Sequence, residues 1–465
     1  MANQFDVIVL GGGPAGYVCA IRASQLGLKT AVVEKEKLGG VCVNIGCIPT
    51  KALLHSALVA NTIAHDAKAL GIETGPVKTD FGVAMKRSRQ VSTQNSKGVG
   101  FLMKKHKVTV VEGVGRLLPG KKVRVGSEEL VAAKAVVVAT GSRVKGLPQI
   151  GLDLNGTTII SSDEALFLEQ APATMAIVGA GAVGCEFADI FNAFGTKVTL
   201  IEALPRILPL EDAECSTALT KSFKKRKIDV FAGASVKAAA VKGAAVELTF
   251  DAGGKTHTLE VEKVLLAAGR AVNTEDIGLK EAGVQLTDQG FIKINHHTLE
   301  TSAAGVYSIG DVAGPPMLAH KGSREGVNAA EVIAGHAPPP IKYDNVPSVT
   351  YCHPEVASIG LTEEQCKERK LEYQVGRFPF SANGRARTAG HTEGFVKIIR
   401  DTKYGEILGA HIVGSDASEM IHELVVAREN EYTVEEVDLA IHAHPTLSEA
   451  IAEAALDSMG RVMHT

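Results

Sequence analysis

Short apolar runs and glycine clusters follow one another in an order that repeats along the first 270 residues. Residues 5–10 read as a buried strand and Gly11-x-Gly13-x-x-Gly16 as a tight turn. Residues 17–26 read as an apolar-faced helix stopped by Gly27, and residues 28–34 as a second strand closing on Glu34. The same order returns as a strand over 175–178, the turn Gly179-x-Gly181-x-x-Gly184, a helix to Phe194 with Gly195 as its stop, and a strand over 197–202 closing on Glu202. In both copies the acid stands 23 residues after the first glycine. Residues 135–142 and 263–270 add a third match, each an apolar strand ending in a small-Gly-polar turn. An internally duplicated βαβ unit predicts all three.

The pattern changes after the second copy. Residues 246–250 and 256–261 alternate in polarity around Asp251-Ala-Gly-Gly254, a hairpin signal. Ala337-Pro-Pro-Pro340 is the clearest linker, because three prolines neither join a sheet interior nor continue a helix. Strands over 395–400 and 407–413, then helices through Met459, predict a separate C-terminal α+β domain.

Composition narrows the function classes. The 465 residues carry 49 Lys+Arg against 52 Asp+Glu and no Trp, so no basic excess exists to neutralise a phosphate backbone and little to stack on bases; no nucleic-acid partner is expected. No apolar run approaches the roughly 18–20 residues of a membrane helix, so no membrane is expected. The first six residues lack a charged segment and lead into a strand, unlike a signal or transit peptide. Seven Cys, an odd count over a long chain, argue against a secreted disulfide scaffold and for a cytoplasmic protein. No metal-ligand spacing is visible.

Each glycine motif allows a tight turn, close approach of backbone to a pyrophosphate and close helix–strand packing, with oriented N–H groups at the helix N-terminus, while Glu34 and Glu202 suit ribose hydroxyls. A lone GxGxxG motif is weak, but two, each with strand, helix and terminal acid in place, predict two bound dinucleotides. Glu202 pairs with a free 2′-hydroxyl and repels a 2′-phosphate, which favours NAD over NADP. Arg206, four residues on, reads as a solvated arginine.

Cys42 and Cys47 lie just after the first unit, followed by Pro49 and Lys51. Pro49 fits a first helical turn, which puts Cys47 near a helix N-terminus where the dipole favours a thiolate. Five residues apart, the two thiols would stand about 140° apart on a regular helix. Asn44 and Gly46 supply the irregularity that would let them meet. They read either as two small buried thiols or, beside a dinucleotide site, as a redox pair. Cys19 and Cys185 read as core residues, and Cys215, Cys352 and Cys366 receive no role. Thr446-x-x-Glu449 reads as a capping box, with His444 satisfying a backbone group. Alternatively, His444 is a general base oriented by Glu449.

Taken together, residues 39–51, 179–184, 308–311 and 442–449 resemble the pyridine nucleotide–disulfide oxidoreductases over essentially the whole chain, with the closest likeness to members that oxidise dihydrolipoamide. The fold this implies is α/β: two Rossmann-like FAD/NAD(P)-binding domains plus a C-terminal α+β dimerisation domain. Its boundaries would be 1–147 for FAD, 148–271 for NAD, 272–345 completing the FAD site and 346–465 for the interface. The resemblance implies FAD held by Gly11, Gly13, Gly16, Glu34, Lys51, Gly115, Thr140, Gly141, Asp311 and Ala319. It implies NAD held by Gly179, Gly181, Val183, Gly184, Glu202, Val236 and Gly269. Cys47 would face the flavin and Cys42 would meet substrate, the two forming a redox disulfide. Lys51 would sit near flavin N5, paired with Glu186. His444 and Glu449 would come from the second subunit of a homodimer, and the partner would be a lipoyl-bearing acyltransferase or carrier protein. Thr50 stands where these members usually carry serine. Two other readings are a reductase of a different disulfide and a scaffold subunit with a vestigial redox centre.

Overall fold

The computed structural model describes residues 3–464, so Met1 and Ala2 of the N-terminal reading lie outside the described residues. The chain forms two compact units, 1–52 with 85–145 and 269–341, and 53–84 with 146–268 and 342–465.

In the first unit, Asn3–Leu10 lies between Thr30–Glu34 and Glu128–Val138, all parallel, with Thr109–Glu112 and Val306–Ser308 extending the parallel pairing. Lys122–Val125 and Gly115–Leu118 continue the sheet antiparallel. Val7, Ile8, Val9, Val136 and Val137 are fully buried, which is why these runs are apolar throughout and not alternating. The first glycine-turn helix, Pro14–Gln25, begins three residues earlier than the pattern predicts, because Pro14 sits in its first turn. It packs against Ala319–Ala334 so closely that a Cβ on Gly326 would lie 2.5 Å from the Ala15 carbonyl oxygen.

The second unit repeats the plan. Lys197–Glu202 and Thr174–Val178 are central in a parallel sheet with Asp229–Ala232, Lys263–Leu266 and Ile159–Ile160. Strands Ala245–Ala252 and Lys255–Val261 form the expected hairpin, closing Ala252 on Lys255. Gly253 and Gly254 both take positive φ, the conformation a two-residue turn of this hand requires. The same unit holds a five-stranded antiparallel sheet, with Glu355–Gly360, Ile407–Gly414 and Phe395–Asp401 inside it, and the helices Ala417–Glu429 and Glu449–Ser458. Its core includes Ile398, Ile412, Ile421, Leu424 and Ile451.

One expectation is corrected. Among the described residues, the helical run Gly40–Asp66 is long and apolar enough to cross a membrane, by length and composition only. It is not one regular helix: Gly46 interrupts it with φ −146° and ψ −117°.

Candidate active site

The break at Gly46 builds the redox pair. Cys42 lies on the short helix Gly40–Ile45 and Cys47 opens the helix Cys47–Asn61. They are disulfide-bonded, with 4.7 Å between their Cα atoms. A Cβ on Gly46 would fall 2.9 Å from the Val41 carbonyl oxygen and 3.2 Å from Cys42 Cα, so only glycine allows this reversal. Asn44 ties the segment down by donating to the carbonyls of Leu38 (3.0 Å) and Gly40 (2.9 Å). Thr50 Oγ1 donates to the Gly46 carbonyl at 2.7 Å, which its methyl group does not hinder. Lys51 follows one turn on, four residues after Cys47.

Both glycine turns have one construction. A Cβ on Gly16 would collide with the Gly11 carbonyl oxygen, and one on Gly184 with the Gly179 carbonyl oxygen. Gly11 and Gly179 take φ of +104° and +102°. The helices Pro14–Gln25 and Ala182–Ala193 are preceded by Gly13 and Gly181, neither of which caps the helix with a side chain. The Cβ position of Gly181 is open, and that of Gly13 meets only Gly40 at 3.9 Å. Glu34 accepts from the N–H of Gly12 (2.7 Å) and Glu36 (2.8 Å). Glu202 accepts from the N–H of Ala180 (2.6 Å) and Leu204 (2.9 Å). Each turn therefore offers uncapped amides, space without a side chain, and a fixed carboxylate with lone pairs to spare. That chemistry fits the pyrophosphate and ribose of a dinucleotide twice over.

The other expected FAD residues all lie in the first unit. Thr140 and Asn273 exchange hydrogen bonds of 2.7 and 2.9 Å around Gly141, whose φ is +70°. Gly115 is tight, since a Cβ there would lie 2.8 Å from Leu10. Asp311 accepts from the Ser142 hydroxyl, which in turn accepts from Arg270 Nε at 2.7 Å. Ala319 opens the helix Ala319–Ala334. Of the expected NAD residues, Val183 is exposed on the first turn of Ala182–Ala193, Gly269 takes φ +94°, and Val236 packs against the core beneath the hairpin. Glu186 is buried on the same helix and accepts from the Tyr351 N–H at 3.1 Å.

His444 Nδ1 lies 2.8 Å from Glu449 Oε1, while Glu449 Oε2 accepts the Thr446 N–H at 2.8 Å. Burial opposes the Glu449 charge, but the Thr446 N–H and the His444 ring hold its carboxyl below the usual range. Only half of the expected capping box forms, the Glu449 carboxylate accepting the Thr446 N–H. Ser448 precedes the helix, Glu449 is its first residue, and the Thr446 hydroxyl donates to the Ala443 carbonyl instead. The two neighbouring histidines differ sharply: the His444 side chain is 80% exposed, whereas His442 is 9% exposed and bound to Glu423 at 2.7 Å. Arg206 also departs from expectation. It is part-buried, paired with Glu364 at 3.1 Å and donating to the Glu211 carbonyl at 3.2 Å.

Ser142 and Arg270, the polar residues of the two small-Gly-polar turns, and Asn273, three residues past the second, hold the residues around Asp311 and Thr140. Residue order marks the first two as turn residues only, and gives no sign of Asn273. Cys19 and Cys185 are core residues as expected, with burial pushing the Cys19 thiol up to about 12.

Comparison with known proteins adds to this geometry. Residues 5–326 match the family described as pyridine nucleotide-disulphide oxidoreductase, and residues 346–455 match its dimerisation domain. The chain is 45% identical to a dihydrolipoyl dehydrogenase of Chlorobaculum tepidum, covering 99% of this chain and 98% of that one. It is 44% identical to a dihydrolipoyl dehydrogenase of Bacillus subtilis, covering all of both. Among solved structures, LpdA from Mycobacterium tuberculosis superposes with a TM-score of 0.90 at 28% identity, over 98% of this chain and 99% of that one.

Proposed function

The chain belongs to the pyridine nucleotide–disulphide oxidoreductase family, and from that premise we propose that it reoxidises dihydrolipoamide to lipoamide with NAD+ as the final acceptor. The observation that carries this reading is the Cys42–Cys47 disulfide at a helix N-terminus, in the unit that bears the first glycine turn. FAD and NAD are the cofactors; FAD, when bound, would supply the two-electron chemistry that links the cysteines to NAD+.

The residues divide the remaining work. A substrate thiolate attacks Cys42 Sγ, the S–S bond breaks, and Cys47 leaves as a thiolate favoured by the helix dipole. The second substrate thiolate then attacks the mixed disulfide, releasing cyclic lipoamide and the Cys42 thiolate. His444 takes a thiol proton at Nε2, because Glu449 can only accept and so keeps the ring proton on Nδ1. Gly11, Gly13, Gly16, Glu34, Gly115, Thr140, Gly141, Asp311 and Ala319 hold FAD, with Lys51 near the flavin. Gly179, Gly181, Val183, Gly184, Glu202, Val236 and Gly269 hold NAD. Arg206, engaged by Glu364, leaves the 2′-hydroxyl environment acidic, in keeping with NAD.

The dimerisation domain makes the protein a homodimer. Within it, His444 and Glu449 serve the cysteines of the other subunit. The partner is a lipoyl-bearing acyltransferase or lipoyl carrier protein, met in the cytoplasm. The test is steady-state reduction of NAD+ by dihydrolipoamide with FAD-loaded protein, beside a parallel assay with NADPH and glutathione disulfide. Fast turnover in the first and none in the second is expected; the reverse overturns the substrate and the meaning given to Glu202.

A further inference from the structure

The most deeply buried ion pair of the first unit lies beneath the turn that carries Asp311. Lys321 and Glu325 stand one helical turn apart on Ala319–Ala334, with side chains 0% and 2% exposed. Lys321 Nζ donates to the carbonyls of Gly310 (3.0 Å) and Gly314 (2.9 Å) and to Glu325 Oε2 (3.1 Å). The ammonium has three protons and three acceptors, so it is fully engaged. Glu325 Oε2 also accepts the Gly310 N–H at 2.7 Å. Lys321 therefore grips both ends of the turn Gly310–Ala313, and Glu325 closes the loop on its first residue.

The turn is confined on its other sides as well. Gly310 and Gly322 are so close that a Cβ on Gly322 would lie 3.1 Å from Gly310 Cα, and Ala15 of the first glycine-turn helix crowds both. The Asp311 carboxylate is oriented by Ser142 and, through it, by Arg270. An ion pair removed this completely from water gains little net stability over an apolar pair of similar volume. What it supplies is geometry, because two carbonyls and one amide can meet its charges in only one arrangement.

We infer that Lys321 and Glu325 are positioning residues for FAD, acting through the Gly310–Ala313 turn to set the Asp311 carboxylate. This rests on the proposed reading that Asp311 holds the flavin's ribityl chain. Without Lys321, two carbonyls and a carboxylate lose their partner and the turn relaxes, displacing the carboxylate from the cofactor.

The experiment is FAD titration of full-length apoprotein, read by quenching of flavin fluorescence and by the visible flavin spectrum. The variants are Asp311→Asn, Lys321→Met, Glu325→Gln, and Lys321→Met combined with Asp311→Asn. Lys321→Met is expected to raise the FAD Kd about tenfold or more. In the Asp311→Asn background the same change should cost under about threefold, since coupled residues are not additive. Equal losses in both backgrounds, or an unchanged Kd in Lys321→Met, overturn the inference while leaving the FAD site standing. An unchanged Kd in Asp311→Asn overturns the site reading and this inference with it. If Lys321→Met does not fold, Glu325→Gln, which keeps shape and an acceptor oxygen, carries the same comparison.

Discussion

Glu449 Oε1 lies 2.8 Å from His444 Nδ1, and its other oxygen accepts the Thr446 N–H, so the carboxylate is fixed from both sides and the imidazole presents Nε2 outward. His444→Gln should lower dihydrolipoamide oxidation by about 10²–10⁴-fold, the range for a lost general base, with FAD content unchanged. Glu449→Gln should lower it less, because the imidazole stays while its tautomer is released. Initial rates across pH would check both, and a loss under about tenfold for His444→Gln would return that histidine to a structural role.

Cys47 opens its helix, where a thiolate is favoured, and Gly46 turns it back onto Cys42. Cys47→Ser should retain FAD but abolish thiol–disulfide turnover. Undiminished lipoamide activity in the FAD-loaded variant would refute the redox pair.

Glu202 has both oxygens engaged by main-chain amides of its own glycine turn, which holds the charge in place. Glu202→Arg should weaken NAD+ use and improve NADP+ use, measured as the ratio of the two kcat/KM values. An unchanged ratio would remove Glu202 from the ribose site.

A cluster of carboxylates around a buried lysine makes the second unit sensitive to acid. Lys397 donates to Asp212 (3.0 Å), Glu214 (2.8 Å) and Glu363 (2.8 Å), and these carboxylates outweigh burial to hold its charge well above the ordinary lysine range. Hydrogen bonds from Lys367 and then Lys397 bring the Glu363 carboxyl down from 4.5 to about 2. A carboxyl depressed on folding contributes stability that is present above its unfolded value. That contribution should fall away between about pH 4.5 and pH 2. Glu363→Gln should flatten this part of the curve of melting temperature against pH. Lys397→Met should cost about 3–5 kcal/mol near neutrality, since it strands the buried Asp212 carboxylate, and denaturant unfolding would measure it.

The duplicated glycine units, the hairpin at Gly253–Gly254 and the C-terminal strands were legible in the sequence because each rests on local rules: apolar period, turn chemistry and the space a missing Cβ leaves. The irregularity at Gly46 was legible for the same reason, though whether the thiols met was not. Choices that turn on distant partners were not legible. Thr446 and Glu449 have capping-box spacing and keep one of its two bonds, yet the helix starts at Glu449, two residues later than a Thr446 cap requires, and the other Glu449 oxygen goes to His444. Arg206 reads as solvated from its sequence neighbours, whereas Glu364, 158 positions away, pairs with it. Which of His442 and His444 is exposed depends on Glu423 in another helix. Residue order and spacing determined the cofactor turns and the reactive cysteines. Tertiary packing alone decided which charges are buried, which are paired and which side chains stay open, because those depend on groups the chain brings together only when folded.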